Sequence, residues 1–103
     1  MFGTIGRFRI KPGHEEQVKA LTEEWERTIR PTIPGVVVAL CGRPVAGGGE
    51  TVDVVALQDE ATYQALATRA EQDAWYRRWV EHLEGEPTWE DVAWESAKVD
   101  ISG

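Results

Sequence analysis

The densest chemistry in this chain lies between Asp73 and Asp91. Trp75, Tyr76, Trp79, His82 and Trp89 bring three of the five tryptophans, one of the two tyrosines and one of the two histidines into one stretch. Rings at that density either fill a core or dimer interface, or wall a cavity for an apolar ligand with their N–H and O–H groups as polar handles. Trp25 and Trp94 add to the set from other parts of the chain.

Other chemistries find less support. His14-Glu15-Glu16-Gln17-Val18 has no second histidine one helical turn on, and His82 has Trp79 where a Glu-x-x-His motif needs its carboxylate, so no metal site is expected. His14 reads as a surface residue near a helix start. Ser96 and Ser102 lack the glycine-flanked setting of an activated serine, and Cys41 sits in an apolar run that gives no reason for thiolate character. Gly47-Gly48-Gly49 is followed by Glu50-Thr51, which makes it a hairpin tip and not a phosphate loop. Glu84, Glu86, Glu90, Asp91 and Glu95 are carboxylates in a chain already rich in them, so their number alone singles out no acid/base pair.

The elements that must position these groups follow from periodicity. Phe2 to Ile10 alternates as a strand and stops at Lys11-Pro12-Gly13. Val18, Leu21, Trp25 and Ile29 recur at helical spacing between His14 and Arg30, and Pro31 and Pro34-Gly35 end that helix. Val36 to Cys41 is apolar on both faces and predicts a strand covered from both sides, in which Cys41 packs as a small apolar residue. Thr51 to Gln58 completes a hairpin. Asp59 is placed to cap a second helix, with Tyr63, Leu66, Ala67 and Ala70 on one stripe. The pattern resets near Gln72-Asp73, where Asp73 is a candidate cap for a further helical segment ending at Gly85 and Pro87. Within it Arg77-Arg78, the one adjacent basic pair, reads as a solvated or ion-paired face. Weak alternation from Val92 to Ile101 predicts a fourth strand.

The order strand, helix, strand, strand, helix, strand is the ferredoxin-like βαββαβ arrangement, an α+β fold with a four-stranded antiparallel sheet and two helices on one face. Helices on one face leave the other bare, yet the second and third strands are apolar on both. A second copy of the sheet is the simplest cover, which predicts a homodimer.

At 103 residues, 42% hydrophobic and 28% charged, the chain suits one domain spanning 1–103 with a packed core. A net charge of −7 disfavours nucleic acid and anionic membrane surfaces as partners. The longest uncharged run, Pro31 to Gly42, is too short for a membrane span, and the few apolar residues before Arg7 are too short for a secretory signal core. With one cysteine and no internal disulfide, the cytoplasm is the expected location.

The strand Arg7-Phe8-Arg9-Ile10-Lys11-Pro12-Gly13, the acidic amphipathic helix after it, Ile33-Pro34-Gly35-Val36, Asp59-Glu60-Ala61, Trp75-Tyr76 and Glu86-Pro87-Thr88-Trp89 carry a further signal. Together they resemble the dimeric α/β-barrel superfamily, in its antibiotic biosynthesis monooxygenase-like branch. The resemblance implies a protomer whose sheet packs on its twin to close a barrel, with a pocket between sheet and helices. It also implies cofactor-independent oxidation of electron-rich phenols, in which the protein supplies orientation, deprotonation and a dry cavity. On that reading Tyr76 or His82 is the candidate base, Arg7 stabilises an anion, and Trp25, Trp75, Trp79 and Trp94 wall the cavity around a small aromatic ligand, with no cofactor. The alternative is a non-catalytic ligand-binding or interaction homodimer, in which Arg7 and Arg9 form edge or interface ion pairs and the tryptophans plug the pocket. Leu57-Gln58-Asp59 stands where oxygenases of the branch often carry Trp before an acidic pair. The chain has no Asn and offers Trp75 or Tyr76 where haem-degrading members use His, so haem degradation is disfavoured.

Overall fold

The computed structural model describes residues 1–96 and 98. Its elements are β1 (Phe2–Phe8), α1 (Glu15–Thr28), a 3-10 turn (Arg30–Thr32), β2 (Val37–Gly42), β3 (Thr51–Leu57), α2 (Glu60–Ala67), α3 (Ala70–Val80) and β4 (Thr88–Ala93). The strands form one antiparallel sheet in the order β2-β3-β1-β4, the ferredoxin-like order.

Alternation assigns each side chain to a face. In β1, Thr4, Gly6 and Phe8 look toward the helices, and antiparallel pairing aligns them with Val55, Asp53 and Thr51 of β3. Ile5 and Arg7 look the other way, beside Val54 and Val52. Gly3 has no room for a side chain, since a methyl group there would overlap the Val55 carbonyl of the neighbouring strand.

Helix α1 carries Glu15 and Glu16 in its first turn and Arg27 in its last, the charge order that its dipole favours. Its stripe Val18, Leu21, Trp25 and Ile29 is buried as the spacing predicts. Two core clusters result. Phe8, Val18, Leu21, Trp79 and Leu83 form one; Trp25, Ile29, Ile33, Leu57 and Leu66 form the other, and Trp75 packs against both. The end of α3 is tied to the end of β1 by an Ile10–Leu83 bridge and by backbone hydrogen bonds from Lys11 N to the His82 carbonyl (2.9 Å) and Glu84 N to the Arg9 carbonyl (2.8 Å).

Four expectations need correction. The helical break falls at Thr68-Arg69, not near Asp73. Arg69 is extended (φ −75°, ψ 140°) and its guanidinium donates to Thr32 Oγ1 at 2.9 Å, which fixes the start of α3 from outside the helix. Asp73 instead lies inside α3 and pairs with Arg77 at 2.9 Å. The fourth strand starts at Thr88, ahead of the Val92–Ile101 stretch, because pairing with β1 recruits Trp89, Glu90 and Asp91; residues 97 and 99–101 of that stretch lie outside the described residues. Finally Cys41, expected to pack as a small apolar residue, is exposed on β2, the edge strand of the protomer's sheet. The other readings of capping and charge hold: Asp59 accepts a hydrogen bond from Thr62 N at 2.8 Å, and Arg78 donates twice to Glu24 at 2.7 and 3.1 Å. Among the described residues no helix is long and apolar enough to cross a membrane.

Candidate functional site

Between the two core clusters the helices stand off the sheet, leaving a cavity of about 570 Å³. Its floor is the helix-facing side of the sheet: Thr4, Ala39, Cys41, Thr51, Asp53, Val55 and Asp91. Val18, Thr22, Trp25 and Glu26 of α1 form one wall, and Tyr63 and Leu66 of α2 with Gln72, Trp75, Tyr76 and Trp79 of α3 form the other.

The rings hold one another in place. Trp75 and Trp79, one turn apart on α3, stack with centroids 5.9 Å apart and planes 16° apart. Phe8 meets Trp79 edge-on at 4.7 Å, and Trp89 lies 6.0 Å from both Trp79 and Tyr76. Several of the polar handles are anchored. Trp25 Nε1 donates to Gln72 Oε1 (2.8 Å), Trp75 Nε1 to the Leu21 carbonyl (2.7 Å), Trp89 Nε1 to the Tyr76 hydroxyl (2.8 Å) and the Tyr63 hydroxyl to Asp91 Oδ1 (2.9 Å). Such mutual fixing leaves the cavity open and its walls preorganised.

Trp89 keeps its place because Gly6 lies beneath it, where a methyl group would overlap the indole ring. Gly6→Ala should therefore push Trp89 off the sheet and break its bond to Tyr76, lowering stability by about 1–2 kcal/mol. Urea denaturation measures the loss, and a shifted Trp89 indole N–H resonance checks its cause.

Asp53 is the chemically distinctive group. It sits mid-strand on the floor, in register with Cys41 and Gly6, and its carboxylate has no hydrogen bond or ion pair among the described residues. Burial pushes its pKa up to about 6, and the nearby Glu26 charge adds to the rise. The Cys41 thiol beside it is raised too, by its partial burial against the cavity floor first and then by the Asp53 charge. Burial, then the bond to Asp91, also raises the Tyr63 hydroxyl.

Of the residues singled out from sequence, Tyr76, Trp25, Trp75 and Trp79 line this cavity. Arg7, His82 and Trp94 are not among its lining residues. Arg7 is exposed on the opposite face of the sheet, in register with Val52 and Thr88. His82 sits beyond α3 with Nδ1 3.0 Å from Nδ1 of His14, which is half-buried and not simply a surface residue. Trp94 follows β4, where its backbone N–H reaches the Met1 carbonyl at 2.7 Å. Sequence reading passed over Asp53, Tyr63 and Gln72. For Asp53 a signal was present: it is the single charged residue inside the apolar strand Thr51-Val-Asp-Val-Val-Ala-Leu57. Among the described residues no group of three or more His, Cys, Asp or Glu side chains is placed to hold a metal ion.

No protein-family model matches the chain, and neither does any curated protein. Solved structures do. A protein described as an antibiotic biosynthesis monooxygenase superposes with a TM-score of 0.72 at 18% identity, over 93% of this chain and 100% of that one. A Caulobacter crescentus CB15 protein provisionally given the same name reaches 0.77 at 11% identity, covering 94% and 90%. A Nitrosomonas europaea protein of unknown function reaches 0.73 at 20% identity, covering 98% and 95%. At these identities the shared property is the fold: this chain has the ferredoxin-like α+β architecture of the structures that bear the antibiotic biosynthesis monooxygenase name.

Proposed function

We propose that the cavity binds a small, electron-rich aromatic molecule and that the chain oxidises it with dioxygen without a cofactor. The observation that carries this reading is the carboxylate of Asp53 on the floor of a ring-walled cavity, the one of its four lining carboxylates with neither an ion pair nor a hydrogen bond among the described residues. A carboxylate with a pKa of about 6 is ionised at neutral pH yet more basic than an exposed one, the tuning that a general base needs. It takes the proton of a hydroxyarene. The arenolate then passes one electron to dioxygen, and the radical and superoxide combine to form a C–O bond. Loss of the ring C–H proton and cleavage of the O–O bond leave a quinone and one water, so all electrons come from the substrate. Tyr76, held by Trp89, is placed to donate to the substrate oxygen; Trp25, Trp75 and Trp79 hold the ring plane and exclude water.

An oxygen electrode with a panel of dihydroxynaphthalenes tests this. Oxygen uptake with quinone formation is expected, with a rate that rises with pH through about 6 as Asp53 ionises. No quinone across the panel, extended to hydroxynaphthalenes that carry an aminomethyl arm, would remove the oxygenase reading. A non-catalytic binding protein is the second reading, favoured by the fact that the indole N–H groups of Trp25, Trp75 and Trp89 are already engaged within the protein.

The working unit in this reading is a homodimer joined through the sheet. Ile5, Val38, Leu40, Val52, Val54 and Val92 share the face away from the helices, and Leu40 is 63% exposed in the protomer. An apolar patch over β2, β3 and the middle of β1, bordered by Arg7 and Glu90, has the make-up of an interface with a polar rim. Sedimentation equilibrium should give a dimer at micromolar concentration, and Val54→Asp should shift it to monomer. A wild-type monomer would overturn the assembly.

A further inference from the structure

The charge of the cavity is one-sided. Glu26, Asp53, Asp73 and Asp91 line it, and among the described residues no Lys, Arg or His does. Two of these carboxylates are answered from outside, Glu26 by Arg30 at 2.7 Å and Asp73 by Arg77 at 2.9 Å. The other two are not. Asp91 has only the neutral Tyr63 hydroxyl at 2.9 Å, and Asp53 has no partner among the described residues. Trp25, Trp75, Trp79 and Tyr76 line the space above the floor, and wherever such a ring turns its face to the cavity it presents the negative end of its quadrupole.

A carboxylated or phosphorylated ligand would enter against both terms and lose its hydration as well. An ammonium gains from both. We infer that the cavity selects a positively charged aromatic molecule: a flat ring bearing a protonated amine, whose charge answers Asp53 and Asp91 while the ring lies among the indoles. This rests on the ligand-binding reading above and deepens it. Deprotonating a hydroxyarene leaves negative charge on its oxygen, and among the described residues no cationic side chain lines the cavity to stabilise it. Hydrogen bonds from Tyr76 and the threonines can share that charge, but only the substrate can bring a full positive charge to offset it. The substrate class is therefore a hydroxyarene with a basic amine arm.

Three probes with one ring system separate the terms: 1-naphthylmethylamine, 1-naphthalenemethanol and 1-naphthoate, titrated by calorimetry at low salt and pH 7.5. The amine should bind about tenfold or more tighter than the alcohol, the carboxylate more weakly than either, and the amine's advantage should shrink as salt rises. In the Asp53→Asn/Asp91→Asn double variant the amine and alcohol should bind within about threefold of each other; Asp91→Asn alone, at an exposed position, should narrow the gap in part. Equal binding of all three probes, or a carboxylate bound as tightly as the amine, would overturn the charge selection and leave the ligand cavity standing. An amine preference that survives both substitutions would overturn it too. Failure of all three to bind would remove the ligand cavity along with it.

Discussion

Replacing Asp53 with Asn should make the protein more stable and less active. The expectation follows from one cause, the burial that lifts the Asp53 pKa from 3.8 to about 6. The folded state holds that proton more tightly than the unfolded chain, so the stability associated with it is fully present below about pH 4 and is lost as pH rises through about 6. Above that, the native protein carries a desolvated charge. Asn is nearly isosteric and never ionises, so at pH 7.5 the variant should be more stable by roughly 2 kcal/mol, allowing for partial access of solvent through the cavity. At pH 4 the two proteins should melt together. Urea denaturation at both values measures the difference; an equal gap at each pH, or a variant less stable at pH 7.5, would contradict the assignment. In the oxygenase reading the same substitution should lower turnover by about 10²–10⁴-fold, since it removes the proton acceptor. Stabilisation coupled to loss of activity is the signature of a functional group placed against the interest of folding.

The largest loss of stability should come from Trp79→Ala. Trp79 is 4% exposed and touches Phe8, Trp75, Tyr76 and Trp89, so its ring is the common neighbour of one core cluster and one cavity wall. Removing it should cost about 3–5 kcal/mol. Total stability for a domain of this size is about 5–15 kcal/mol, so the variant should approach half-unfolding under mild denaturant. Trp89→Phe is the control. Trp89 is 40% exposed, its ring volume is largely kept, and what is lost is one hydrogen bond to Tyr76, about 1 kcal/mol. If the two variants had the same guanidinium midpoint, Trp79 would not be the centre of the cluster.

Much of the fold was legible because it rests on short-range pattern. Val18, Leu21, Trp25 and Ile29 announce α1 by spacing alone, Asp59 announces α2 by capping, and alternation across Phe2 to Phe8 announces β1. The break between α2 and α3 was legible but its position was not, because Thr68 and Arg69 are tolerable in a helix and Thr32, which Arg69 contacts at the break, lies 37 residues away. The start of β4 was hidden for a similar reason: Thr88 to Asp91 is polar, edge-strand sequence that becomes a strand only by pairing with β1. At the site, sequence found the rings and missed the carboxylate. Aromatic residues advertise themselves by number, whereas Asp53 matters through its position on the sheet. Alternation in β1 already separates Arg7 from Thr4, Gly6 and Phe8, so choosing Arg7 rested on its side-chain chemistry and not on which face the helices cover, and His82 was chosen in the same way.

The ring network has an optical consequence. Trp25 lies 6.5 Å from Trp75, Trp75 5.9 Å from Trp79 and Trp79 6.0 Å from Trp89. At such separations excitation passes between indoles faster than it is emitted, and the near-parallel Trp75–Trp79 pair should give a coupled signal in the near-ultraviolet circular dichroism. Four of the five tryptophans therefore report on the same few cubic nanometres, and with Trp94, which lies outside the cavity lining, replaced by Phe, the remaining emission should change when a ligand enters the cavity.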